Sequence, residues 1–167
     1  MTTTIRFGGL VFALVLAGCG SEASEPAPAP APTEDAVADA NVHPTSGLQL
    51  IDVTVMTDEG SHTFRTEVAD TPAAQGRGMM FRANMGENEA MLFPYDVPGD
   101  KGFWMKNTSV PLDIIFIAED RTIINIGAGE PFNETSVRSE APAIAVLEIP
   151  QGRSEQLGIE PGDSVDW

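Results

Sequence analysis

The chain has 167 residues, 42% of them hydrophobic, and a formal net charge of −16 at neutral pH. This length is typical of one domain with appendages, and the hydrophobic fraction is sufficient for a core. A surface this acidic repels phosphate backbones, so the composition disfavours a nucleic-acid partner.

The first eighteen residues have the pattern of a bacterial signal peptide. Arg6 supplies a positive charge, and the apolar run that follows is too short to span a membrane. The run ends in Leu-Ala-Gly-Cys, which resembles a lipobox, and Cys19 is the only cysteine in the chain. We therefore expect Cys19 to be lipidated and to anchor the protein to a membrane. An ordinary cleaved signal with a chance cysteine is the alternative.

Residue 20 bears on which membrane carries the anchor. Gly20, rather than an aspartate, follows the cysteine. By resemblance to the enterobacterial sorting rule, this favours the outer membrane, with the protein facing the periplasm. The expected location is therefore the bacterial cell envelope.

Residues 19–46 are rich in alanine, proline and acidic residues, with almost no large apolar side chains. Such a segment cannot bury enough surface to fold, and its PAPAPAP run favours polyproline II. We interpret it as a tether between the lipid and a domain that spans residues 47–167.

The domain sequence predicts mainly β structure. Residues 48–56 and 61–69 alternate around a turn and predict a hairpin. Thr71 and Gly78 are expected to begin and end a short helix, because threonine caps helix N-termini and glycine ends helices. A strand is predicted at 91–93, where Pro94 would end it. Further strands are predicted at 103–107, 112–118, 122–127 and 143–149. A helix at 151–157 and a last strand before Trp167 complete the domain. These elements predict a single compact β-sandwich or barrel-like domain with one or two short helices.

Five motifs occur in order along this domain. They are GMMFR (78–82), AMLFPY (90–95), FWMKNTSVPLDIIFI (103–117), VLEIPQG (146–152) and LGIEPGD (157–163). Together they resemble the prokaryotic family of domain of unknown function 192, over residues 51–165. The resemblance implies a mainly β fold and no established activity.

Six residues are the candidate ligand-binding set. They are Arg82, Trp104, Lys106, Asn107, Asp113 and Glu148. If these side chains converged, they would form an apolar pocket with a few polar groups, as small-ligand sites do. The structural alternative is that Asn107 and Asp113 bond backbone amides, that Lys106 lies along Trp104, and that Glu148 faces solvent or pairs with Lys106.

The leading hypothesis is a non-catalytic module that binds a small polar ligand or an envelope protein. No motif of a known hydrolase, metal centre or phosphate loop occurs, so no metal or cofactor is predicted. An envelope hydrolase or transferase that uses Asp113 and Glu148, with Arg82 or Lys106 holding an anion, is the first alternative. Copper binding through methionine thioethers is the second. Its candidate residues are Met79, Met80, Met85, Met91 and Met105.

Overall fold

The computed structural model describes residues 41–167. The predicted signal peptide (1–18) and most of the predicted tether (19–40) lie outside the described residues. Within this part of the chain, neither helix is long and apolar enough to cross a membrane.

Nine strands and two short helices make up the domain. In chain order they are β1 (Leu50–Thr57), β2 (Gly60–Val68), α1 (Pro72–Arg77), β3 (Glu89–Gly99), β4 (Gly102–Phe103), β5 (Leu112–Ile117), β6 (Ile123–Gly129), β7 (Val137–Arg138), β8 (Ala143–Pro150), α2 (Arg153–Leu157) and β9 (Ser164–Asp166). The predicted mainly β fold with two short helices is therefore confirmed.

Seven strands form one mixed sheet in the order β6-β5-β8-β3-β2-β1-β9, and β4 pairs with β7 apart from it. Only β2 and β3 run parallel, because α1 and a long turn separate them, whereas short turns join the two hairpins. The sheet curls so that its end strands meet at an isolated bridge between Thr122 and Ser164. It does not close into a barrel.

Each face of the sheet carries its own hydrophobic core. The inner core fills the concave side with alternate residues of seven strands, and its largest members are Phe64, Leu92, Ile115, Ile117, Leu147 and Ile149. The outer core lies on the opposite face, beneath α1 and residues 103–110, and it includes Met79, Met91, Phe93, Met105, Ile114 and Phe116. A sheet covered on both faces explains why every residue of β5 is buried.

Two strand predictions were wrong. Pro94 does not end β3, because the register shifts between Pro94 and Gly99 and the strand continues through this irregularity. Residues 103–107 do not form a strand. β4 stops at Phe103, and the chain turns tightly at Lys106 and Asn107, where Asn107 has a φ of 53°.

Candidate functional site

Glu148 lies in the middle of the sheet, on the face that carries the outer core. Its cross-strand neighbours are Met91 on β3 and Ile114 on β5, which are both buried. Only 4% of the residue is exposed to solvent. The prediction that Glu148 faces solvent or pairs with Lys106 was therefore wrong, because the neighbouring strands bury its carboxyl group.

A small cavity lies directly against Glu148. Its volume is about 40 Å³, which is room for about two or three water-sized groups. The end of α1 and the turn after it form one wall, and the aromatic residues of β3 and of 103–104 form another. The lining residues that matter most here are Gln75, Met79, Phe93, Phe103, Trp104 and Glu148. We call this space the Glu148 cavity.

One oxygen of the Glu148 carboxyl group has no partner. Within residues 41–167, Oε2 is buried and makes no hydrogen bond. Burial raises the pKa of Glu148 from 4.5 to about 8, because the apolar surroundings disfavour the charged form. Tyr95 responds to the same surroundings, since burial, and then the nearby charge of Glu148, raise its pKa. At neutral pH the Glu148 side chain is therefore mainly a neutral carboxylic acid.

Local sequence signals determine where α1, which forms one wall of the cavity, begins and ends. Thr71 caps α1 by accepting a 3.2 Å hydrogen bond from Ala74 N, and Pro72 occupies the first turn. Gly78 ends the helix with a positive φ of 45°. A Cβ on Gly78 would lie 3.4 Å from the ring of Phe93. A glycine at this position therefore lets the turn approach the aromatic wall closely.

The aromatic wall is a chain of three rings. Phe103 stands edge-on to Phe93, with 4.9 Å between ring centroids, and edge-on to Phe116, at 6.2 Å. Edge-to-face contacts of this kind fix ring orientation. The ring of Phe103 in the cavity wall is therefore fixed by contacts with two buried rings of the outer core.

Trp104 forms the outer rim of the cavity. Its side chain remains half exposed, and Nζ of Lys106 lies 5.1 Å from the ring centroid, within reach of a cation–π interaction. The interpretation that Lys106 lies along Trp104 agrees with this geometry. Trp104 therefore offers a partly open aromatic surface beside a buried carboxyl group.

Two further aromatic side chains are exposed next to this rim. Phe81 is 74% exposed and Phe132 is 65% exposed, and both have positive φ angles, of 63° and 60°. Their N–H groups donate to two consecutive carbonyls, Asn107 O at 2.9 Å and Thr108 O at 3.0 Å. The turn at 106–108 thus holds both phenylalanines, although the side chain of Asn107 itself is exposed.

Arg82, a candidate for anion binding, is engaged with a second buried glutamate. Its Nη2 lies 2.7 Å from Oε1 and 2.5 Å from Oε2 of Glu67, and Ser46 Oγ also donates to Oε2. His43 Nε2 is 3.6 Å from Oε1 of the same carboxylate. We call these four residues the Glu67 cluster. It draws residues 43–46, which the sequence analysis assigned to the tether, against the β domain.

Asp113 does not join Glu148. Its Oδ1 accepts from Gly152 N at 3.1 Å and its Oδ2 from Ser154 N at 3.0 Å, so it holds the start of α2. Asp113 is paired with Ile149, one residue after Glu148, and alternation therefore places the two carboxylates on opposite faces of the sheet. The structure does not form the carboxylate pair that the hydrolase hypothesis requires.

The predicted set of six is therefore divided in space. The structure brings Trp104 and Glu148 to one cavity with Lys106 at its rim, whereas Arg82 and Asp113 serve structural contacts. Gln75 and Phe93 also line the cavity, but they were not predicted as site residues from the sequence. Their positions depend on how α1 packs on the sheet, and no local pattern reports that packing.

This fold and this cavity define a small β domain with a buried carboxylic acid. The chain belongs to the family of domain of unknown function 192, described as Uncharacterized ACR, whose sequence profile matches residues 53–167. The predicted family is confirmed, and its function is unknown.

Relatives extend this assignment. A UPF0127 protein of Pyrococcus abyssi is 26% identical over 106 residues, which cover 62% of this chain and 86% of that protein. A crystal structure of a protein of unknown function from Novosphingobium aromaticivorans is 48% identical, with a TM-score of 0.74, covering 75% of this chain and 91% of its own. A Sinorhizobium meliloti protein, described as a candidate transcription regulator, is 35% identical with a TM-score of 0.69, covering 71% of this chain and 94% of its own.

Proposed function

We propose that this chain is a lipid-anchored protein of the bacterial cell envelope whose β domain binds a small polar ligand at the Glu148 cavity without catalysing a reaction. One observation carries the proposal, which is the buried and unpartnered Oε2 of Glu148. Leaving such a group without a hydrogen bond costs about 1–3 kcal/mol. A ligand that hydrogen-bonds to Oε2 would remove this cost on binding.

The surroundings of Glu148 support ligand binding. Binding pockets combine apolar and aromatic walls with a few fixed polar groups, and perturbed carboxyl groups concentrate at functional sites. The Glu148 cavity has this composition, and Trp104 provides a partly exposed ring at its rim. A cavity of about 40 Å³ admits one end of a ligand, and the rest would lie along Trp104.

The alternatives lose support at specific residues. A hydrolase would need a second carboxylate near Glu148, but Asp113 lies on the other face of the sheet and binds two backbone amides. The methionines of the copper hypothesis serve the core, because Met79, Met91 and Met105 are buried among apolar side chains of the outer core, where methionine is a common filler. The net charge of −16 disfavours a nucleic-acid partner, including one suggested by the description of the Sinorhizobium relative.

A ligand screen on the purified full-length protein tests the binding proposal. We expect at least one compound among sugars, amino acids, amines and short carboxylates to raise the midpoint of thermal unfolding. Glu148→Gln should abolish that rise, whereas Glu140→Gln, a matched change at an exposed carboxylate, should preserve it. Equal rises in the wild type and in Glu148→Gln would contradict the proposed site.

A second experiment tests the anchor, which lies outside the described residues. Cells that express the wild-type chain should incorporate labelled palmitate into it and retain it in the membrane fraction. Cys19→Ser should lose both the label and the membrane association. Retention of both by Cys19→Ser would overturn the lipid anchor and leave the cavity proposal intact.

A further inference from the structure

The contacts of Glu148 point to the charge of the ligand as well as to its place. Its Oε2 makes no hydrogen bond within residues 41–167, and Glu148 lies against a cavity that half-exposed Trp104 also lines. Extending the proposed ligand site, we infer that the ligand enters the Glu148 cavity with an ammonium group, so that the domain binds a small primary amine. The amine would supply a positive charge and the hydrogen-bond donor that residues 41–167 do not bring to Oε2.

The cavity walls suit a cation better than a neutral group. The aromatic rings of Phe93, Phe103 and Trp104 line it, and aromatic rings attract ammonium groups through their faces. The thioether of Met79 adds a polarisable neighbour. The volume of about 40 Å³ fits an ammonium group and one or two attached carbons.

No side chain of the described domain neutralises Glu148. Arg77, on α1, lines the cavity but is exposed, and Lys106 lies over the outer ring of Trp104. Tyr95, on β3, is the titratable group whose pKa responds to the Glu148 charge. The neighbours on β3 and β5 are Met91 and Ile114, which are apolar. Within residues 41–167, neither Arg77 nor Lys106 forms an ion pair with Glu148.

The net charge of the whole chain also favours a cationic ligand. A net charge of −16 concentrates cations near the surface and increases their association rate. An anionic ligand would meet the opposite effect. Among the described cations, Arg77 lines the cavity with an exposed side chain, and Arg82 is already bound to Glu67.

The sign of the pH dependence distinguishes an amine from a neutral ligand. An ammonium group binds the ionised form of Glu148, whose population rises about tenfold per pH unit below a pKa of about 8. Alkylamines remain protonated in this range, as lysine does, with a pKa of about 10.4. A carbonyl group only accepts hydrogen bonds, so it binds the protonated acid and its affinity falls as the pH rises through 8. A hydroxyl group can bond to either form, so its affinity changes with pH far less than that of an ammonium group.

The experiment compares propylamine, 1-propanol and propionate at constant ionic strength, with the full-length protein. The reporters are the ¹³C methyl signals of Met79 and Met105, which line the cavity. We expect propylamine to shift both signals and to bind about 100-fold tighter at pH 9 than at pH 6. Glu148→Gln should abolish this dependence, and Glu140→Gln should retain it. The wild-type pH profile tests the inference even if Glu148→Gln folds poorly.

Three outcomes would overturn the inference. If 1-propanol binds more tightly than propylamine at pH 9, the cavity takes a neutral hydrogen-bonding group, and only the amine inference fails. If Arg77→Ala tightens propylamine binding more than tenfold, Arg77 is itself the cation for Glu148. If none of the three probes shifts either methyl signal, the cavity is not a ligand site, and the proposed binding function fails as well.

Discussion

Two buried glutamates in this domain have opposite surroundings. Glu67 and Glu148 lie on the same face and in the same cross-strand row, separated by Met91, and only 6% and 4% of each residue is exposed. Glu67 accepts from Arg82 and Ser46 and lies next to His43, whereas Oε2 of Glu148 has no partner in the described part of the chain. Because the two glutamates share a cross-strand row and are almost equally buried, the sheet does not explain why their surroundings differ. The chain supplies partners for one carboxylate and leaves an open cavity beside the other.

This contrast separates a structural role from a binding role. A buried carboxylate with arginine and hydroxyl partners is stabilised by them, and such a group fixes the path of the chain around it. A buried carboxyl group without partners destabilises the fold and persists where another function requires it. We therefore interpret the Glu67 cluster as a structural feature and the Glu148 cavity as the proposed ligand site.

Removing the partner of Glu67 should have the largest effect. Arg82→Ala leaves the Glu67 carboxylate buried without its main counter-ion, which should cost about 3–5 kcal/mol of unfolding free energy, as measured in urea. The control is Arg138→Ala, because Arg138 is exposed and forms no ion pair within residues 41–167, and such surface changes usually alter stability by less than about 0.5 kcal/mol. A loss below about 1 kcal/mol for Arg82→Ala would remove the contrast between the two glutamates.

The second prediction concerns Glu148 and pH. Because its pKa is raised in the folded state, the folded protein keeps a proton that the unfolded chain loses between pH 4.5 and about 8. Wild-type stability should therefore fall across this window, and Glu148→Gln should lack this part of the fall. The difference in unfolding free energy between the two proteins should change by on the order of 3 kcal/mol from pH 5 to pH 7. A difference that stays constant with pH would show that Glu148 titrates normally.

A smaller effect is expected where α1 meets the aromatic wall. Gly78→Ala combines a positive φ with a Cβ at 3.4 Å from Phe93, and it should cost about 1–2 kcal/mol. Gly76→Ala is the matched control, because its Cβ would meet nothing within 4 Å and alanine favours the helix by about 0.5–1 kcal/mol. The two changes should shift the thermal midpoint in opposite directions. Equal shifts of the thermal midpoint for the two variants would mean that the close contact between Gly78 and the Phe93 ring does not contribute to stability.

Much of the fold could be predicted from local patterns. The alternation in β1 and β2 and the apolar hairpin of β5 and β6 gave strands within about two residues of the observed bounds. Thr71 and Gly78 gave the limits of α1, and Gly158 ends α2 with a φ of 63°. These signals are local, because caps and alternation depend on a few neighbouring residues.

The candidate site could be predicted only in part. The motif from 103 to 117 contains Trp104, which lines the cavity, and Lys106, which lies over its ring. The turn at Lys106 and Asn107 replaces the predicted strand, since Phe81 and Phe132 bond to carbonyls of residues 107 and 108. Alternation in β8 places Glu148 and Leu147 on opposite faces of the sheet. It does not predict which of the two faces a helix will cover. The parallel pairing of β2 with β3, which brings Glu67 and Glu148 into one row, is a long-range choice that no local pattern encodes.

Direct titration of Glu148 tests the central claim most simply. The ¹³C chemical shift of its side-chain carboxyl carbon can be followed from pH 3 to pH 10 in the full-length protein, with Glu148→Gln used to assign the signal. We predict a midpoint near 8, well above that of the exposed glutamates. A midpoint near 4.5 would show that Glu148 is charged at neutral pH and solvated or paired, which would contradict the account of the cavity given above.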